Sequence, residues 1–262
     1  MDVAKVEVSV RQRPARVFAG GAGSALLLVH GGWSGAQMHW SRVWGRLAER
    51  HHVLAPDLPG LGDLGQPPLA SVRAYAEWLL ELLDVFGVER AWCVGNSFGA
   101  SVAWSLAGRA PGRCAGVVLV DGIPMPRTPL PLRVLGRTAP ARALMRRLVR
   151  RASYRPALIA RAFADPTRAP PELARSIAEE WDVIAKHFAD LLIAGDGPPA
   201  PRLKPLLLFG AADRLPGTTP DAARRLQRTL RGSTLVQLAD AGHFPQVEAP
   251  EAFVAALEDY VG

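Results

Sequence analysis

A hydroxyl, an imidazole and a carboxylate sit along this chain in settings that suit nucleophilic catalysis. Ser97 stands within Gly95-Asn96-Ser97-Phe98-Gly99, a Gly-x-Ser-x-Gly pentapeptide. The apolar run Trp92-Cys93-Val94 precedes it, and the helical pattern Ser101-Val102-Ala103-Trp104-Ser105-Leu106-Ala107 follows. In that setting the pentapeptide predicts a sharp strand-to-helix turn that exposes the serine hydroxyl above a sheet. Glycines are needed at 95 and 99 because a side chain there would collide with neighbouring backbone. A serine hydroxyl is a weak nucleophile at neutral pH, so a base must take its proton. His243 fits that role in Ala239-Asp240-Ala241-Gly242-His243-Phe244-Pro245, where a strand opens into a loop. An acid must then fix the imidazole tautomer and stabilise the imidazolium. Asp213, after Leu207-Leu208-Phe209-Gly210, is the preferred acid, and Asp121, at the end of Val118-Leu119-Val120, is the alternative. A fourth segment, Leu26-Leu27-Leu28-Val29-His30-Gly31-Gly32-Trp33, runs a strand into bare glycines. There the Gly32 N–H is expected to join the Phe98 N–H in holding a developing oxyanion.

These residues need strand ends to carry them, and the chain supplies strands at the right places. Strand patterns fall at Val6–Val10, Ala25–Val29, His52–Ala55, Ala91–Val94, Gly116–Val120, Leu206–Phe209 and Thr234–Leu238. Helical patterns lie at Trp40–Arg50, Val72–Phe86, Phe98–Ala107, Asp221–Leu230 and Pro250–Tyr260. The alternation predicts an α/β fold with a mostly parallel central sheet flanked by helices. It breaks after Ile123, where Pro124, Pro126, Pro129 and Pro131 read as an exit linker, and the stretch from Gly195 to Pro201 reads as the return. Between them, Ala141, Leu144, Met145, Leu148 and Val149 share one helical face, with Arg142, Arg146, Arg147, Arg150 and Arg151 opposite. Ile177, Trp181, Ile184, Phe188 and Leu191 form a second apolar stripe. The expected division is a core of residues 1–122 and 202–262 with a helical cap, 123–201, inserted.

Composition narrows the partners. At 262 residues the chain suits one large domain, and no apolar run approaches the ~18–20 residues that span a bilayer. The first residues alternate like a strand and carry two acids, unlike a signal peptide. A cytoplasmic protein with no stable membrane insertion is expected. Cys93 and Cys114 lie in apolar stretches and read as buried free thiols rather than a disulfide. The net charge of +7 is almost wholly Arg, since Lys occurs only at 5, 186 and 204. No nucleic-acid motif accompanies that charge, so no nucleic-acid partner is expected. His39, His51, His52 and His187 lack metal-ligand spacing, so no metal is expected.

Taken together, Ser97, Asp213, His243 and the His30-Gly31-Gly32 turn make the chain resemble the α/β-hydrolase fold superfamily over nearly its whole length. The loop Asp57-Leu58-Pro59-Gly60-Leu61-Gly62 matches the same superfamily, with Asp57 read as a structural turn residue. The resemblance implies a Ser-His-Asp triad without a cofactor, beneath a cap, acting on a small molecule. It also favours Asp213 over Asp121, because Phe209-Gly210-x-x-Asp213 matches the common position of the acid. A serine at 97 disfavours haloalkane dehalogenase and epoxide hydrolase chemistry.

Two reactions remain open on the sequence. Asn96 and Gly242-His243-Phe244-Pro245-Gln246-Val247-Glu248 resemble hydrolases that cleave carbon–carbon bonds in ring-fission diketones. Those enzymes usually carry Trp where this chain has Phe244, and Ser-Gly-Pro-Gly where it has Gly32-Trp33-Ser34-Gly35. The latter segment resembles small-molecule esterases, so carboxylic-ester hydrolysis is favoured over carbon–carbon hydrolysis. A lyase or a ligand-sensing receptor on the same scaffold is a further alternative. Trp33, Trp181, Phe188 and Phe244 are candidate walls of the substrate pocket. The basic face from Arg142 to Arg155 reads as a solvated surface partly neutralised by Glu179, Glu180 and Asp182. Its other readings are an anionic substrate, a carrier protein or a membrane surface. Oligomeric state leaves no mark on the sequence.

Overall fold

A computed structural model describes residues 2–262 except 63–64, 154–160, 196 and 198, and of residues 177 and 181 it describes only the backbone. One sheet is built from β1 (Ala4–Val10), β2 (Arg13–Gly20), β3 (Ser24–Val29), β4 (His51–Pro56), β5 (Ala91–Asn96), β6 (Cys114–Val120), β7 (Leu206–Gly210) and β8 (Thr234–Leu238). Their spatial order is β1-β2-β4-β3-β5-β6-β7-β8. β2 pairs antiparallel with both β1 and β4, and all other neighbours run parallel. The helices are α1 (Ala36–Trp40), α2 (Trp44–Leu47), α3 (Val72–Val85), α4 (Phe98–Arg109), α5 (Leu130–Gly136), α6 (Ala139–Ser153), α7 (Pro171–Ala194), α8 (Pro220–Thr229), α9 (Pro245–Glu248) and α10 (Pro250–Val261).

The sheet is covered on both faces, which is why its inner strands read as unbroken apolar runs. Successive side chains point to opposite faces. Leu27 and Val29 therefore join Tyr75, Leu79 and Leu82 of α3 and Val102 and Leu106 of α4 in one core. Leu26 and Leu28 join Trp40, Leu47, Phe253 and Leu257 in the other. Ser71 starts α3 by accepting the Ala74 N–H on its hydroxyl at 3.1 Å, which satisfies one free donor of the first turn. Cys93 and Cys114 are free and buried, as expected.

Three expectations are corrected. The strand β2 has no counterpart in the sequence reading, because Pro14 and the arginines at 13 and 16 mask its alternation. Its hairpin turn, moreover, uses Arg11 and Gln12 at φ 55° and 61°, where glycine or asparagine is the usual signal. The helix expected over Trp40–Arg50 is two short pieces, α1 and α2, parted at residues 41–43. Trp40, Val43 and Leu47 are all fully buried at the i, i+3, i+7 spacing of one helical face, so the periodicity reads as a single helix across the break. The proline linker after residue 123 also shortens, since Pro129 and Pro131 instead open α5, at positions where a missing N–H costs nothing.

Between β6 and β7 the chain makes a helical excursion through α5, α6 and α7. It leaves and returns at one point. The Thr128 N–H donates to the Gly195 carbonyl (3.2 Å), and the Thr128 hydroxyl donates to that of Leu192 (2.8 Å). The apolar stripe expected on α6 divides. Met145 and Val149 are half-buried toward α7, whereas Leu144 and Leu148 lie more than half exposed. No helix among the described residues is long and apolar enough to cross a membrane.

Candidate active site

The turn from β5 into α4 holds Ser97 at φ 54°, ψ −115°, a region L-residues rarely enter. Close packing forces that conformation. A side chain on Gly95 would strike the backbone of Gly99, one on Gly99 would strike the carbonyl of Val29, and one on Gly122 would strike that of Ser97. Phe98 is the first residue of α4, so its N–H has no acceptor within the helix and points out of the N-terminus. Gly31 and Gly32 follow β3 directly. An added methyl on Gly32 would collide with the ring of Phe188, and one on Gly31 would approach Ser97 Cβ to 3.2 Å.

His30 pins this glycine turn. Its Nδ1–H donates to the Gly31 carbonyl (2.6 Å), while Nε2 accepts the Leu58 N–H (2.8 Å). Both bonds need a neutral ring, and burial lowers the His30 pKa accordingly. Asp57 adds a second tie, pairing with Arg16 and accepting the Ala36 N–H at 2.7 Å. It is a joint between loops, as expected of a structural turn residue.

On the far side of Ser97, His243 Nδ1–H donates to Asp213 Oδ2 at 2.8 Å. Asp213 Oδ1 accepts the Leu215 N–H at 2.8 Å, and the Thr218 hydroxyl lies 3.5 Å from Nδ1. Burial opposes ionisation of Asp213, but the facing imidazole and these hydrogen bonds outweigh it and hold the carboxyl below its ordinary pKa. Asp121 sits in the same cluster, with one polar atom from each of Asp121, Asp213 and His243 within 4.8 Å of the others. Its oxygens both face the Gly210 N–H, 3.1 Å from each. Burial, and then the charge of Asp213, push the Asp121 carboxyl well above the usual carboxylate range. The geometry therefore gives the imidazole to Asp213 and not to Asp121.

Other buried groups hold the His243 loop. Glu248 accepts the Gly242 N–H through Oε1 (2.8 Å) and the Ala164 N–H through Oε2 (2.7 Å). Asn96 donates to the carbonyls of Val120 and His243, each at 3.1 Å. Asn96 is fully buried and lines neither cavity beside Ser97, so its role is to brace the loop.

A cavity of 440 Å³ opens over Ser97, Gly32 and His243. Of the candidate walls, Trp33, Phe188 and Phe244 line it, and Trp181 has no described side chain. Phe244 meets the His243 ring edge-on at 5.2 Å, and Phe188 meets Phe98 in the same way at 5.2 Å. His39, Val149, Leu192 and Pro216 complete the wall without having been anticipated. His39 is kept neutral by burial, which lowers its pKa to about 3. The nearest sequence signal for it is its place on the aromatic helix after Trp33. A smaller space of 210 Å³ reaches Ser97 past Gly122 and Ile123. A larger, charge-lined cavity of 640 Å³ around Asp57 and Glu172 touches none of Ser97, Asp213 and His243.

A parallel sheet with one reversed strand, β2, next to its edge, a helical excursion after β6 and a strained serine at the end of β5 define a hydrolase scaffold. The family model described as "Alpha/beta hydrolase family" matches residues 26–256, and the chain belongs to that family of enzymes. Among curated proteins it is 27% identical over 251 residues to a 2-hydroxy-6-oxo-2,4-heptadienoate hydrolase of Pseudomonas putida, covering 92% of this chain and 90% of that one. Among solved structures it resembles a thermophilic esterase from Thermogutta terrifontis, with TM-score 0.74, 24% identity and 98% of each chain covered. It also resembles the 2-hydroxy-6-oxo-6-phenylhexa-2,4-dienoate hydrolase of Rhodococcus sp. strain RHA1, with TM-score 0.73, 24% identity and 98% of each chain covered. The protein is a hydrolase whose relatives include both esterases and carbon–carbon hydrolases.

Proposed function

We propose that the protein is a serine hydrolase that cleaves a small-molecule carboxylic ester through an acyl-enzyme. The observation that carries this reading is the 2.8 Å contact from His243 Nδ1 to Asp213, with Ser97 and His243 lining one cavity. In the proposed reaction His243 Nε2 takes the Ser97 proton as Oγ attacks the ester carbonyl. The N–H groups of Gly32 and Phe98 then hold the oxyanion; losing one such donor typically costs about 10²–10³ in rate. His243 returns the proton to the departing alkoxide, and water activated by the same nitrogen releases the acid. In this reading residues 123–201 act as the cap, and Phe188, packed over Gly32, sets how closely a substrate carbonyl approaches.

Carbon–carbon hydrolysis of a ring-fission diketone is the second reading, favoured by the full-length similarity to the Pseudomonas putida enzyme. It would use the same groups on a ketone, with a carbanion as leaving group. The Asn96 that suggested it is buried behind the loop, away from the cavity, which leaves the ester reading preferred.

Intact mass after treatment with a fluorophosphonate tests the nucleophile. One adduct on the wild type and none on Ser97→Ala is the expected result. No adduct on the folded wild type would refute the reading. Turnover of p-nitrophenyl acyl esters against a ring-fission dienoate then separates the two reactions, and a kcat/KM higher for the dienoate would reverse the preference.

A further inference from the structure

The helical excursion carries a surface that the proposed chemistry does not use. Leu130, Leu132, Val134 and Leu135 of α5 and Leu144 and Leu148 of α6 are each more than half exposed. Single exposed leucines are ordinary, but six large aliphatic side chains on two consecutive helices form a patch of the kind that marks an interaction site. The charge around it has one sign. Residues 122–164 contain no Asp or Glu, and residues 123–153 contain eight Arg. Two of these arginines turn inward to α7, where Arg146 pairs with Asp190 at 3.0 Å and Arg150 with Asp182 at 3.0 Å. Arg147 and Arg151 lie on the outer side with Leu144 and Leu148 at helical spacing of three and four, and no carboxylate pairs with them among the described residues. Of the solvated face expected from Arg142 to Arg155, Arg155 lies outside the described residues; the described part is partly neutralised by α7, through Asp182 and Asp190, while its outer edge is basic and apolar.

We propose that the outer face of α5 and α6 docks on an anionic lipid bilayer. A helix with arginines flanking exposed leucines lies in the headgroup boundary, where apolar burial and attraction to anionic lipid act together. Charge decides against a second copy of this chain, since a two-fold pairing would set arginine against arginine. The active-site cavity lies directly beneath. Val149, next to the exposed Leu148, lines it together with Leu192. Docking stands whatever bond the enzyme cleaves. Its extension, that the substrate is an ester held in the lipid surface, rests on the ester reading above.

Co-sedimentation with vesicles of phosphatidylcholine, alone or mixed with phosphatidylglycerol, tests the docking. Binding is expected only to the mixed vesicles, and salt should weaken it as the surface potential is screened. At ~1 kcal/mol per basic residue near the surface, each arginine contributes about fivefold in affinity. Arg147→Glu/Arg151→Glu should therefore bind on the order of 25-fold more weakly or worse. Leu144→Ser/Leu148→Ser should lose binding as well, and both variants should keep the wild-type Tm. No binding to either vesicle, equal binding to both, or binding unchanged in the two variants would overturn the proposal. So would self-association through this face, detected by light scattering and abolished in the arginine variant. Hydrolysis of a soluble p-nitrophenyl ester, measured alongside, keeps the two readings apart: vesicle binding without that activity removes only the ester extension.

Discussion

Replacing Asp213 or Asp121 by asparagine decides which carboxylate serves the imidazole. In Asp213→Asn the amide keeps the shape of the acid, and its oxygen stays with the Leu215 N–H that now bonds Oδ1 at 2.8 Å. The amide NH₂ is then left at the Oδ2 position, facing His243 Nδ1 across 2.8 Å. A donor there forces the ring proton onto Nε2, and that nitrogen can no longer accept the proton of Ser97. A reversed tautomer of this kind costs about 10⁴ in kcat, or roughly 5 kcal/mol of transition-state stabilisation. Asp121→Asn puts an uncharged amide where burial already disfavours the carboxylate. Its oxygen keeps the Gly210 N–H and its NH₂ faces Asp213, so kcat/KM should change by less than about tenfold, ~1.4 kcal/mol. Stability should rise in this variant at neutral pH. A carboxyl whose folded pKa lies above its ordinary value loses stabilisation as pH rises, and the amide does not titrate. The assays are kcat/KM for a p-nitrophenyl ester across the neutral range and thermal unfolding of both variants. A larger loss in Asp121→Asn than in Asp213→Asn would refute the reasoning.

Two further outcomes follow from backbone strain and from buried imidazoles. Ser97→Gly should unfold at a higher temperature than Ser97→Ala, because only glycine accepts φ 54°, ψ −115° without strain. Strain of about 1–3 kcal/mol, less ~0.5–1 kcal/mol for the entropy of glycine, leaves a gain of a few degrees in differential scanning calorimetry; an equal or lower Tm would show that the turn stores none. Acid should destabilise the fold well before carboxylates protonate. His39 falls from 6.5 to about 3 on folding, so its stabilisation is complete above pH ~6.5 and is lost as pH drops toward 3. The loss reaches about 2 kcal/mol at pH 5. Unfolding midpoints measured between pH 7 and 5 should fall less in His39→Gln than in the wild type.

The legible parts of the molecule were those where one short segment carries its own reason. Gly95-Asn96-Ser97-Phe98-Gly99 predicts its turn because the glycines, the apolar run and the helix are contiguous. The walls at Trp33, Phe188 and Phe244 followed from position and size. What escaped depends on partners distant in sequence. His30 holds the glycine turn through Leu58, and Glu248 holds the His243 loop through Ala164, neither of which periodicity reveals. β2 escaped because its two-residue turn uses Arg11 and Gln12 at positive φ, and the break between α1 and α2 because Trp40, Val43 and Leu47 keep the spacing of one helical face across it. The stripe on α6 divides because periodicity fixes a face but not which neighbour covers it. Only α7 against α6 settles that.

The closure at Thr128 and Gly195 has a bearing on how such a protein changes over time. Because the excursion starts and ends at one hydrogen-bonded stem, its length need not match the gap between β6 and β7. Segments joined to a scaffold at such a pinch point tolerate insertion, deletion and replacement far better than segments threaded through it. The exception is the stretch from Arg161 to Ala164, since the Ala162 carbonyl takes the His243 N–H and Glu248 takes the Ala164 N–H. Different amphipathic helices grafted in place of α5 and α6, with residues 161–164 kept, would inherit Ser97, Asp213 and His243 together with their bracing by His30 and Glu248. Selectivity and surface preference can then drift in one part of the gene while the reacting groups stay fixed in another.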